Sequence, residues 1–94
     1  MIPTPLIDAP TLRTRLAAGE PLVLLDCGFD LADPGAGERA FAAGHLPGAQ
    51  HAHLDRDLSG PKDGHNGRHP LPAPAAWAAT LGRWGVAPGV PVVA

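Results

Sequence analysis

Gly44-His45-Leu46-Pro47-Gly48-Ala49 constrains the fold of this chain more than any other stretch. Proline presets the backbone for the first inner position of a type II turn, and a following glycine accepts the positive φ that the second requires. Pro47-Gly48 therefore predicts such a turn. Gly44 stands where a helix ends and is expected to take the left-handed conformation there. The six residues read together as helix stop, tight turn and strand entry.

The flanking sequence agrees with that reading. Upstream, Leu22 to Asp26 is continuously apolar up to its final acid, the character of a parallel strand covered on both faces. Gly28 to Gly37 is a loop holding Pro34-Gly35, and Glu38 to Ala43 can form one or two helical turns. Nearer the N-terminus, Asp8-Ala9-Pro10-Thr11 predicts a helix start with Asp8 as cap and proline in the first turn. Leu12 and Leu16 share one face of that helix, and Gly19 ends it. Downstream, Ala49 to Leu54 is expected to hold a short strand. Ser59 to Leu71 is a Gly/His/Pro loop longer than a connector needs, which marks it as functional or disordered. Pro74 opens a helix that places Trp77, Leu81 and Trp84 on one face, and Gly85 closes it. An apolar strand begins at Val90. Strands alternating with helices define an α/β fold with a parallel sheet flanked by helices. Three strands are fewer than most such sheets hold, so the chain is expected to be the first part of a longer protein.

Composition excludes several functions. The formal charge is −2, with no basic stripe to follow a phosphate backbone, and only 4% of residues are aromatic; nucleic acid is not an expected partner. No apolar run approaches the roughly 20 residues of a membrane span. Met1-Ile2-Pro3-Thr4-Pro5 has neither a basic n-region nor a long apolar stretch, so no signal peptide is expected. The single cysteine cannot form an intrachain disulfide and fits a reducing cytoplasm. Glycine and proline contribute 12 residues each, but they punctuate periodic apolar segments and so read as turns.

Three pieces in this order resemble the rhodanese family of sulfurtransferases: Leu24-Leu25-Asp26-Cys27, then Gly44-His45-Leu46-Pro47-Gly48-Ala49, then His53-Leu54-Asp55 through Gly67-Arg68-His69-Pro70-Leu71-Pro72. The last piece is most similar to the two-domain branch that uses thiosulfate or 3-mercaptopyruvate. The resemblance implies a rhodanese-like α/β sheet present only in part. Residues 1–94 would be the N-terminal portion of a rhodanese domain, with its second half and a catalytic C-terminal rhodanese domain missing. It further implies transfer of sulfane sulfur from a small-molecule donor to a thiol or cyanide, through a cysteine persulfide and without a cofactor. That cysteine needs a loop of backbone amides at a helix N-terminus to stabilise its thiolate, and no stretch here has that pattern. The alternative from another class is a non-catalytic rhodanese-like module used for binding or regulation.

The candidate residues follow. Asp55 and His69 match places proposed in the 3-mercaptopyruvate branch for a relay in which a carboxylate orients and charges an imidazole that moves a proton. The plain alternative is a turn cap and a histidine that merely precedes proline. Arg68 beside them could hold an anionic substrate by its forked donors, or simply be solvated. Cys27 follows a strand end, but Asp26 beside it raises a thiol pKa and no helix follows, so a buried structural cysteine is expected. His45 is expected to hydrogen-bond backbone at its turn rather than act as acid or base. His51, His53 and Asp55 alternate and on a strand would share a face suited to a metal. His-Ala-His-Leu-Asp also resembles the opening of the metallo-β-lactamase ligand motif, with Arg56 in place of its last histidine. No metal is assigned. His65 and His69 lie four apart in a Pro/Gly loop that does not support a helix.

Overall fold

A computed structural model describes residues 4–94. The elements run α1 (Ala9–Ala17), β1 (Val23–Asp26), α2 (Ala36–Ala43), β2 (Gln50–His51), α3 (Pro74–Trp84) and β3 (Val92–Val93). The strands form one parallel sheet in the order β2-β1-β3, with Leu25 opposite Gln50 and Val23 opposite Val92. The molecule is an α/β fold. No helix among the described residues is long and apolar enough to cross a membrane.

Successive side chains of a strand point to opposite faces, and β1 divides accordingly. Val23 is buried against Ala52 and Trp84, with Leu25, Leu58, Trp77, Leu81, Val86 and Val90 packed around them. Trp77 and Trp84, expected on one face of α3, meet edge to face at 6.0 Å, a favoured aromatic geometry. Leu24 lies on the other face, where it borders a shallow apolar groove with Leu12, Cys27, Leu46 and Val93.

The capping signals hold. Asp8 accepts the Thr11 amide at 2.8 Å, and the Thr11 side chain, then that amide, hold its carboxyl below the usual carboxylate range. Gly85 closes α3 at φ 85°. Gly48 has φ 81°, and the Ala49 amide bonds the Leu46 carbonyl at 3.0 Å, as a type II turn requires.

Several expectations are corrected. Gly44 has φ 176°, which is extended backbone open to any residue, so α2 does not end in a left-handed glycine. Its amide bonds the Ala40 carbonyl instead. The expected strand from Ala49 to Leu54 is only Gln50–His51, because the chain turns back on itself from Ala52 onward. Strand β3 starts at Val92 rather than Val90: a turn with Gly89 at φ 81° and Val90 bonded to the Ala87 carbonyl comes first. Helix α2 starts at Ala36, ahead of Glu38. The shared face of Leu12 and Leu16 is not a core face, since α1 buries no residue.

Gly37 explains how α2 approaches β1. A Cβ there would fall 1.9 Å from the Gly28 carbonyl oxygen, and neither backbone can give way without moving its element. Alanine is the better helix former by about 1 kcal/mol, but the overpacking costs about 3 kcal/mol. Gly37→Ala is therefore expected to lose about 2 kcal/mol net, read as a lower urea midpoint. An unchanged or higher midpoint would show that the approach is looser than described.

Candidate functional site

The loops that follow β1 and β2 leave the carboxyl edge of the sheet, where parallel α/β folds place their ligands. The first, after Asp26, holds itself in shape. Asp26 accepts the Gly28 amide, Asp30 the Ala32 amide and Asp33 the Gly35 amide, and Asp33 pairs with Arg39. These are Asx turns, in which a short carboxylate replaces a backbone partner. The loop presents Phe29, whose ring meets His53 edge-on at 5.5 Å and His69 edge-on at 6.4 Å.

The second loop is a tight turn after Ala52. The Asp57 and Leu58 amides bond the His53 carbonyl at 2.8 and 3.2 Å. The His53 ring accepts the Asp55 and Arg56 amides at Nδ1, 3.1 and 3.2 Å, and its Nε2 donates to the Pro34 carbonyl at 3.1 Å. Asp57, only 5% exposed, accepts the His53 amide at 2.9 Å and Arg83 of α3 at 3.0 Å. Arg56 lies beside it at 3.6 Å and pairs on its other side with Glu38 of α2.

The long loop returns to this turn. The Gly60 amide bonds the Pro70 carbonyl at 2.7 Å, and a Cβ on Gly60 would meet the Leu71 carbonyl at 2.7 Å. That neck brings His69 back to the turn, and its Nε2 lies 3.1 Å from Asp55 Oδ1, an ion-pair distance when the imidazole is protonated. The loop is ordered at its tip by Asn66 and Asp63, which accept the Asp63 and His65 amides. Asp55 and His69, adjacent to no common element in sequence, are thus in direct contact. Both are partly exposed, so the pair is accessible from solvent. With Nε2 on the carboxylate, Nδ1 of His69 is the atom left to take or give a proton.

The remaining candidates divide. Arg68 is exposed and makes no hydrogen bond or ion pair among the described residues. His45 Nδ1 donates to the Phe41 carbonyl at 2.6 Å while its ring stacks on Phe41 at 3.7 Å. It bonds the end of α2, not its own turn. Cys27 is exposed, against the expectation of a buried cysteine. Partial burial, and then the Asp26 carboxylate, push its thiol pKa up, which disfavours the nucleophilic thiolate. The shared metal face of His51, His53 and Asp55 does not form. The strand ends at His51, and both His53 nitrogens are occupied by backbone. His51 and His53 meet edge to face at 6.1 Å instead. No group of three or more metal-ligating side chains occurs among the described residues.

Phe29, His53 in its actual role, Asp57 and Arg83 were not legible as site residues. Asp57 repeats the Asp55 residue type two positions on, yet only the packing of α3 over the turn buries one and leaves the other free.

The Arg56 side-chain hydrogen bond holds the Glu38 carboxyl below its usual range. A folded-state pKa depressed this way contributes stability above the unfolded value near 4.5, lost as pH falls through the folded value. Titration of Glu38 by carbonyl NMR is expected to give a midpoint below 4.5 that rises in Arg56→Gln. Equal midpoints in the two proteins would show that the pair does not persist in solution.

A three-stranded parallel sheet with three helices, its candidate residues on carboxyl-edge loops, fits the partial rhodanese-like architecture that the sequence pieces imply. Comparison with known proteins agrees. The chain is 48% identical over 82 residues to a Pseudomonas aeruginosa protein named 3-mercaptopyruvate sulfurtransferase, covering 86% of this chain and 28% of that protein. It is 42% identical over 88 residues to a Mycobacterium tuberculosis protein named thiosulfate sulfurtransferase SseB, covering 94% of this chain and 31% of that one. No protein-family model matches, and no solved structure matches significantly. These similarities are consistent with a partial rhodanese-like sulfurtransferase, and the chain spans less than a third of the length of the curated relatives it matches.

Proposed function

We propose that this chain is the opening part of a rhodanese domain in a two-domain sulfurtransferase, and that it supplies a proton relay, not the nucleophile. The 3.1 Å contact between His69 and Asp55 carries this reading. The sulfur donor is thiosulfate or 3-mercaptopyruvate, and the acceptor is a thiol or cyanide. A persulfide cysteine outside these residues attacks the donor's outer sulfur. With thiosulfate the sulfur–sulfur bond breaks and sulfite leaves with the electron pair. With 3-mercaptopyruvate the carbon–sulfur bond breaks, and the enolate of pyruvate that leaves must gain a proton. The Asp55 carboxylate orients His69 and stabilises its imidazolium, so His69 is placed to handle protons at that step. Arg68, exposed and unpaired among the described residues, is free to meet the donor's negative charge.

The experiment is a sulfurtransferase assay with both donors, on this chain and on the protein extended through the downstream reading frame. We expect no turnover from the chain alone and turnover from the extended protein, unchanged in Cys27→Ser. In the extended protein His69→Gln is expected to lower kcat with 3-mercaptopyruvate about a hundredfold, and with thiosulfate much less, since sulfite needs no proton to leave. Turnover by the isolated chain, or equal losses with both donors, would overturn the relay. Inactivity of both forms would favour the non-catalytic module.

A further inference from the structure

We propose that His53 is a positioning residue for the Asp55–His69 pair, and that it works with its hydrogen on Nε2 and an open lone pair on Nδ1. The purpose assigned to it rests on the relay reading above; its geometry stands on its own contacts.

Four consecutive amides end on this one residue. Those of Asp55 and Arg56 point at its Nδ1, and those of Asp57 and Leu58 at its carbonyl oxygen. The imidazole does for this turn what an Asn or Asp side chain does at a helix N-terminus. Because amides only donate, Nδ1 must accept. The opposite nitrogen then carries the hydrogen, and it meets the Pro34 carbonyl, which only accepts. Each ring nitrogen confirms the assignment of the other, and a hydrogen at Nδ1 would break both amide bonds.

The ring also reaches the other half of the pair. Its bond to Pro34 ties the turn to the loop that carries Phe29, and the Phe29 ring makes a T-shaped contact with the His53 ring and another with the His69 ring. One side chain, 9% exposed, thereby fixes the backbone of Asp55 and the wall behind His69. The titratable groups around it are His51 on β2, Glu38 on α2, Asp55, Arg56 and Asp57 of its own turn, and His69 beyond Phe29.

The test is long-range proton–nitrogen NMR of the imidazoles in this chain at about pH 8, where an ordinary imidazole is neutral, with amide exchange at Asp55 and Arg56. In the unaltered chain His53 is expected to carry its hydrogen on Nε2, and His69 likewise. His53→Phe keeps the bulk and loses the acceptor. It is expected to lower protection of both amides about tenfold, the order of one net hydrogen bond, and to abolish the single His69 tautomer, as Asp55→Ala does. His53→Asn restores an acceptor and is expected to rescue both signals. A hydrogen on Nδ1 of His53 in the unaltered chain overturns the proposal, and decides it even if the phenylalanine variant does not fold. So does a folded His53→Phe variant with both amides and the His69 tautomer unchanged. An unchanged His69 tautomer in Asp55→Ala overturns the pairing itself, a separate failure that leaves the His53 tautomer as measured.

Discussion

Trp84→Ala is expected to take most of this chain's stability and bring it to the edge of unfolding at room temperature. A domain of this length has a stability of about 5–14 kcal/mol at the usual value per residue. Only four hydrophobic residues are buried among the described residues, Val23, Leu24, Ala52 and Trp84, so the low end applies. Removing a buried tryptophan costs about 3–5 kcal/mol in lost transfer and cavity. The loss spreads because Trp84 links three elements: it touches the core beside Val23 of β1, stacks edge-on with Trp77 within α3, and its carbonyl accepts the Gln50 side chain of β2 at 3.0 Å. Urea titration followed by far-ultraviolet circular dichroism measures it. A midpoint within experimental error of the parent would show that the core is organised around some other residue.

The second large effect is at Asp57. Its carboxylate is almost fully enclosed, with its partners Arg83 and Arg56 more than half exposed. Asp57→Ala leaves the His53 amide buried without an acceptor and removes the tie between the site turn and α3. Breaking a buried pair costs about 3–5 kcal/mol, discounted here because the arginines can return to water. We expect a loss of about 3 kcal/mol in urea unfolding. Arg83→Ala is expected to lose no more than about 1 kcal/mol, the value of an exposed partner. Equal losses in the two variants would place the energy in the ion pair and not in the amide it shares.

Local signals in the sequence were good guides to local structure. Asp8, Pro47-Gly48, Pro74 and Gly85 each act within a few residues, and each stands where its chemistry puts it. Gly44 shows the limit of that reasoning. A glycine at a helix end permits the left-handed region without demanding it, and here the chain leaves α2 extended. The pair of Asp55 and His69 was nameable only through the rhodanese resemblance, because a loop of irregular backbone brings them together and no periodicity predicts its path. His53, Phe29 and Asp57 were beyond reach for a related reason. Their roles are fixed by partners on other elements, Pro34, His69 and Arg83 among them. A strand reading gave His51, His53 and Asp55 a common face, and the turn at Ala52 removed it.

The His45 side chain gives the Gly44–Ala49 stretch a further meaning. One ring nitrogen closes the last turn of α2 at Phe41, and one ring face lies flat on the Phe41 side chain. A residue engaged on both counts is a fastener. The stretch that announces this architecture so clearly is therefore a joint, shaped by how a helix hands over to a strand. It can persist unchanged in a domain that has lost its chemistry, or in one that never had any. Recognition of such a domain and attribution of an activity to it are separate inferences, resting on different side chains.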